Sequence, residues 1–285
     1  MSRTTGRAVR RRIEQLDLDR DAHEIARLSL VSRNGWEPLV YALFTVAFLQ
    51  QVAVPTMART LHRRGTGDIV RETIQRNDDT IVFFGQLLDH GPDSEVGRAW
   101  IDRLNEIHAH FPLRNDDSLY TLATLALGPH ALTAALGRSP FSTTEREAQW
   151  RFWRAVAVRQ HLERIPEHRG DLGEWAATYE HREHAPSPEG RAIARALVDA
   201  FGRRGLPPLL RRWDARIISA LCSPELRRIH DLPEPGALVR ACVSAGLRAY
   251  VRTLDHHRPS SDRSLAVRFG TDRHGERALA DVGYR

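Results

Sequence analysis

From Asp68 to Tyr120 apolar side chains recur at three- and four-residue intervals, and the pattern breaks only at His90-Gly91-Pro92-Asp93-Ser94. That period belongs to α-helices with one buried face. The stretch therefore reads as two amphipathic helices, over 69–89 and from Ser94 to His110, joined by a tight turn. Gly91-Pro92 ends the first. Asp68 is placed to cap its start, and Ser94 with Glu95 opens the second.

Each helix puts a polar group on its apolar side. In the second, Gly97, Ile101, Leu104, His108 and Phe111 share one face, while His110 falls with Arg103 and Glu106 on the other. The rings of an H-x-H pair on a helix point about 200° apart, so one metal ion does not take both. A lone inward histidine suits the single axial imidazole of a haem. It equally suits a core histidine bonded to a carbonyl. In the first helix Thr73, Arg76, Thr80, Phe83 and Leu87 share a face, beside Ile69, Ile81 and Phe84. A buried guanidinium needs a partner. For Arg76 that is either a bound carboxylate or oxygen species, or Glu72 or Asp79 at the helix surface.

The remaining chain follows the same period. Helices are expected over 7–28, over 36–62 with a kink at Pro55, and from Asn115 to Leu136, where Gly137 stops the last. Thr143 or Thr144 with Glu147 signals another helix start, running to about 164. Further helices are expected over 171–184, 188–203, 207–222 and 235–257. No β-branched alternating run and no internal repeat occurs. The fold class is all-α, one domain over residues 1–257 of roughly nine to eleven helices. Residues 258–285 read as a polar, mobile tail.

Composition removes several function classes. The 285 residues are 41% hydrophobic and 27% charged, with a net charge of +6. All 42 basic residues are arginine, scattered among acids rather than gathered in a stripe, so nucleic-acid binding is not expected. Two cysteines, Cys222 and Cys242, are too few for a disulfide framework and read as buried thiols. The longest apolar run, Pro38 to Leu49, is shorter than the about 20 residues of a membrane span. The basic N-terminus lacks an apolar signal core. A soluble, cytoplasmic protein is expected.

Other metal motifs fail on spacing or context. Neither cysteine sits in the glycine-rich loop of a thiolate haem site. Paired Glu-x-x-His motifs for di-iron are absent. Tyr179 to His184 reads as a solvated helix end, and His230-Asp231 lacks the upstream histidines of a metal phosphohydrolase. His256-His257 reads as solvated, and Trp100, Trp150, Trp153 and Trp175 as core.

Arg76-x-x-x-Thr80, His90-Gly91-x-x-Ser94, Leu104-Asn105-x-Ile107-His108-Ala109 and Asn115-x-Asp117-x-Leu119-Tyr120-Thr121-Leu122 follow in order. Gly137-Arg138, Thr144-x-x-Glu147, Phe152-Trp153, Ile165-Pro166 and Trp175-x-x-x-Tyr179 come after them. This series, over residues 36–180, resembles the MpaB-type oxygenases and the related latex clearing protein, a rubber oxygenase. The resemblance implies a globin-like all-α core enclosing b-type haem. It implies that His108 is the proximal iron ligand and that Arg76 and Thr80 line the distal side. Rubber-cleaving members carry a lysine just before the threonine, where this chain has Asp79, so polyisoprene is not the expected substrate.

The resulting expectation is a haem-b oxygenase that oxidises a small apolar molecule with dioxygen. Carbon–carbon double-bond cleavage is suggested by family analogy. A non-catalytic haem sensor or carrier, and a haem-free helical binding protein, are the alternatives. Oligomeric state is not readable from the chain.

Overall fold

Helix α3, Glu37–Val52, is apolar around its whole circumference, as the centre of a helical protein must be. In the computed structural model, which describes residues 5–135, 139–256 and 263–283, it packs against helices on several sides. No strand occurs among the described residues.

The helices run in order as α1 (Gly6–Glu14), α2 (Leu18–Arg27), α3, α4 (Pro55–His62), α5 (Asp68–Arg71), α6 (Thr73–His90), α7 (Glu95–Ala109) and α8 (Asn115–Ala135). They continue as α9 (Thr143–Arg159), α10 (Arg169–Glu183), α11 (Pro188–Gly205), α12 (Asp214–Leu221), α13 (Pro224–His230), α14 (Ala237–Thr253) and α15 (Asp272–His274). Helix α3 packs against α8 and α11, α2 lies on α9, and α6 contacts α7, α11 and the segment after residue 263. One core runs from Ala26 to Val282, and a smaller one of Val9, Ile13, Ile25, Leu28 and Ala148 sits beside it. No single helix among the described residues is long and apolar enough to cross a membrane. The apolar pair α3 and α4 bends by 108° at its break.

Several boundaries differ from expectation for local reasons. Residues 7–28 split in two because the Asp17 carboxylate accepts from the amides of Asp19 and Arg20 and starts a new helix. Residues 69–89 split at Glu72, whose φ of −126° and ψ of 41° are not helical, and Gly67 rather than Asp68 caps α5. Helix α9 is capped one or two residues before the expected position: Ser142 and Glu145 form the reciprocal capping box. Gly137 and Arg138 lie outside the described residues, as does His257.

The expected mobile tail is corrected over residues 263–283. Leu265, Ala266, Phe269 and Val282 are buried in the main core. The backbone at Ala266 crosses α6 at Gly85, where an added Cβ would lie 2.4 Å from the Ala266 amide nitrogen. The segment's apolar residues are too sparse to show a period, and its anchors are charges. The buried Asp78 accepts from Arg204 at 2.7 Å, Arg273 at 3.0 Å and His274 at 2.8 Å. Its neighbour Asp79 accepts from Arg277 at 2.6 Å and from the Gly283 amide at 3.1 Å. A buried carboxylate is tolerated only when paired and hydrogen-bonded, and the chain's end supplies those partners.

Candidate functional site

The α6–α7 turn sets the site. Gly91 takes a φ of +80°, a conformation that favours glycine. The Ser94 hydroxyl donates to the Gly91 carbonyl at 3.0 Å and accepts from the Gly97 amide at 2.9 Å. The two helices then pack side by side and turn their polar groups toward one space.

That space is a cavity of about 220 Å³, walled mainly by apolar side chains. Arg76 and Thr80 of α6 and His108 of α7 all line it. So do Phe44 and Phe48 of α3, with Phe83, Phe84 and Leu104. All the residues singled out for chemistry in the sequence are thus brought together. The split between His108 and His110 also holds: His110 is exposed and its Nδ1 bonds the Glu106 carbonyl at 2.8 Å.

His108 is half-buried at the cavity wall, and neither ring nitrogen bonds to a described residue. Burial, and then the charge of Arg76, push its pKa down to about 4. The imidazole is therefore neutral at physiological pH and keeps a free lone pair. A partner for the second nitrogen, such as usually orients a metal-binding histidine, is not found among the described residues.

Arg76 donates through Nη1 to the Thr80 hydroxyl, which in turn donates to the Arg76 carbonyl at 3.0 Å. Its guanidinium carbon lies 5.6 Å from the centre of the Phe48 ring. Among the described residues no carboxylate comes within ion-pair distance of it. Burial lowers its pKa, against the longer-range pull of Asp79 and Asp68. The expected surface pairing with Glu72 or Asp79 does not form, because Asp79 is held by Arg277 and Gly283. Asp79 reaches the cavity wall, but its carboxylate is already engaged.

On another side of the cavity Asp117 of α8 is tied down by Arg114 at 2.6 Å and by the Tyr179 hydroxyl. Tyr179 stacks on Tyr120, whose hydroxyl meets Glu180 at 2.8 Å and His184 Nε2 at 2.9 Å. The stretch 179–184 is therefore only partly solvated, which corrects the sequence reading. His230 is a core residue, its Nε2 2.8 Å from the Leu49 carbonyl. Cys222 is buried as expected and Cys242 is exposed. Phe44, Phe48, Asp117 and Gly283 escaped the sequence reading as wall residues. They come from α3, α8 and the chain end, and no spacing relates those to α6.

Chemically, one neutral imidazole supplies one ligand, not a shell. Among the described residues no group of three or more His, Cys, Asp or Glu is placed to hold a metal ion. His108 alone could hold only a metal that brings its other ligands with it. The aromatic walls suit a macrocycle, and the unpaired guanidinium suits an acidic edge group or a reduced oxygen species.

Residues 32–256 match the family described as ER-bound oxygenase mpaB/B′/rubber oxygenase, catalytic domain. The chain belongs to this oxygenase family. A stretch of 114 residues is 26% identical to a protein described as ER-bound oxygenase mpaB from Penicillium roqueforti (strain FM164). It covers 39% of this chain and 38% of that relative. The matched family region includes α3 to α14, and so the walls of the cavity other than the chain end.

Proposed function

We propose that this chain is a haem-b oxygenase that oxidises a small apolar organic molecule with dioxygen, with His108 as the residue that would hold the iron. One observation carries the reading: a neutral, unbonded histidine and an arginine that lacks a carboxylate partner line the same apolar cavity, in a chain of an oxygenase family. When bound, haem supplies the redox-active iron that dioxygen chemistry needs. His108 would hold the cofactor through one ring nitrogen, because its pKa of about 4 keeps that nitrogen unprotonated. Thr80 fixes the Arg76 guanidinium, which lines the cavity and would stabilise negative charge there. The phenylalanine walls exclude water and bind an apolar substrate by burial. The held carboxylate of Asp79 differs from a lysine in charge and reach, which favours a substrate other than polyisoprene.

Protein expressed with haem supply is expected to show a Soret band that shifts on reduction. His108→Ala is expected to abolish that band while circular dichroism stays helical. Colourless wild-type protein sinks the haem assignment, and an unchanged spectrum in His108→Ala sinks the ligand assignment. Dioxygen consumption over a panel of terpenoid and polyketide substrates tests for turnover. Haem binding without uptake across the panel favours a sensor or carrier.

A further inference from the structure

Between α11 and α12 the chain makes a protruding knuckle, Pro207 to Trp213, in which every residue is exposed. Leu209 is 85% exposed, Leu210 46% and Trp213 36%, in a protein with a well-formed core elsewhere. Most of the segment is a 3₁₀ turn, Pro208–Trp213. Side chains three apart eclipse in that geometry, so Leu210 and Trp213 share one edge and Leu209 shares the next with Arg212. The turn is held from behind by packing against α11 and α12.

Three arginines at this apolar tip, Arg211, Arg212 and Arg216, lack an ion-pair partner among the described residues, whereas Arg203 and Arg204 behind them are paired with Asp199 and Asp78. Arg212 and Arg216 lie 5.9 Å and 5.4 Å from the centre of the Trp213 ring, which keeps the cations at the tip. The nearest acid in sequence, Asp214, turns inward: its carboxylate accepts the Ala215 amide at 2.5 Å and lies against Gly202.

We propose that this knuckle docks the protein peripherally on an anionic lipid bilayer. Leu209, Leu210 and Trp213 enter the headgroup–acyl boundary, and Arg211, Arg212 and Arg216 meet the lipid phosphates. Exposed leucine and tryptophan with unpaired arginines on one short, rigid projection match that boundary, which is apolar below and negatively charged above. A protein partner would need an extended complementary surface, and a tip of seven residues is small for one. The docking is independent of what the cavity holds.

Full-length protein is sedimented with vesicles of phosphatidylcholine alone, or containing about a third phosphatidylglycerol. Binding is expected to the anionic vesicles, weakening as salt rises. Leu209→Glu with Leu210→Glu is expected to cut it at least about tenfold, since two buried leucines are lost and two negative charges added. Arg211→Gln with Arg212→Gln should weaken it less and flatten the salt dependence. These positions are exposed, so thermal unfolding should match wild type. Wild-type protein that fails to sediment at low salt, or leucine variants that sediment equally, overturns the proposal. Failure to sediment combined with concentration-dependent self-association that the leucine variants abolish assigns the tip to a second copy of the chain and likewise overturns it.

Discussion

Two neighbouring parts of α6 treat charge in opposite ways. At Asp78 and Asp79 two buried carboxylates are surrounded by Arg204, Arg273, His274 and Arg277, drawn from α11 and the chain end. At Arg76, less than one turn earlier, a guanidinium faces an apolar cavity with a threonine and a phenylalanine ring as its neighbours. The chain does not lack acids, with 36 against 42 arginines. Asp79 is three residues from Arg76 and is directed elsewhere. A cluster that satisfies its own charges is architecture, whereas a buried charge left without a counter-ion is what the proposed function assigns to a bound group.

Acid should have the largest effect, and it acts through the buried histidines. Burial holds His108, His130 and His230 each at about 4, below the ordinary histidine value of 6.5. A histidine with a depressed folded pKa binds fewer protons folded than unfolded, so its contribution is full above pH about 6.5 and is lost as pH falls toward 4. Urea midpoints measured across that window should fall steadily. His108→Phe should reduce the slope by removing the cavity's share, and an unchanged slope would mean the cavity is wet enough to protonate freely.

Next in size is Asp78→Ala, which leaves two arginines and a histidine without their shared carboxylate. The expected loss is about 3 kcal/mol in urea unfolding, the low end for a broken buried pair because the cations keep some solvent contact. Arg76→Leu should move the other way. It removes a charge that the ligand-free protein does not neutralise, so unfolding free energy should rise by about 1 kcal/mol while cofactor or substrate binding weakens. If Arg76→Leu destabilises as Asp78→Ala does, the contrast between the two regions is wrong. The smallest effect belongs to Arg228→Ala. Its 3.9 Å contact with Glu225 is exposed on both sides, and the change should stay below about 0.5 kcal/mol.

Much of the site was legible because its chemistry is local. Arg76 and Thr80 are one turn apart, and His108 shares its face with Ile101 and Leu104, so helical spacing alone aims them. The α6–α7 turn was readable from Gly91 and Ser94 for the same reason. The fate of Asp79 was not. Its nearest side-chain partner in space is Arg277, 198 residues away, in a segment whose composition resembles a disordered tail. Nor does any period relate Phe48 to Arg76, since α3 and α6 meet only through packing.

The amino-acid order alone determined that the chain is helical, where glycine, proline and capping residues break it, and which way His108 and Arg76 point. Those properties depend on neighbours within one or two turns. Tertiary structure decided that these side chains enclose one cavity, that the chain end closes against it at Gly283, and that Arg76 keeps no carboxylate. These outcomes depend on which distant surfaces bury each other and on how limited carboxylates are shared among arginines. That is a property of the whole packed molecule, and no local spacing carries it.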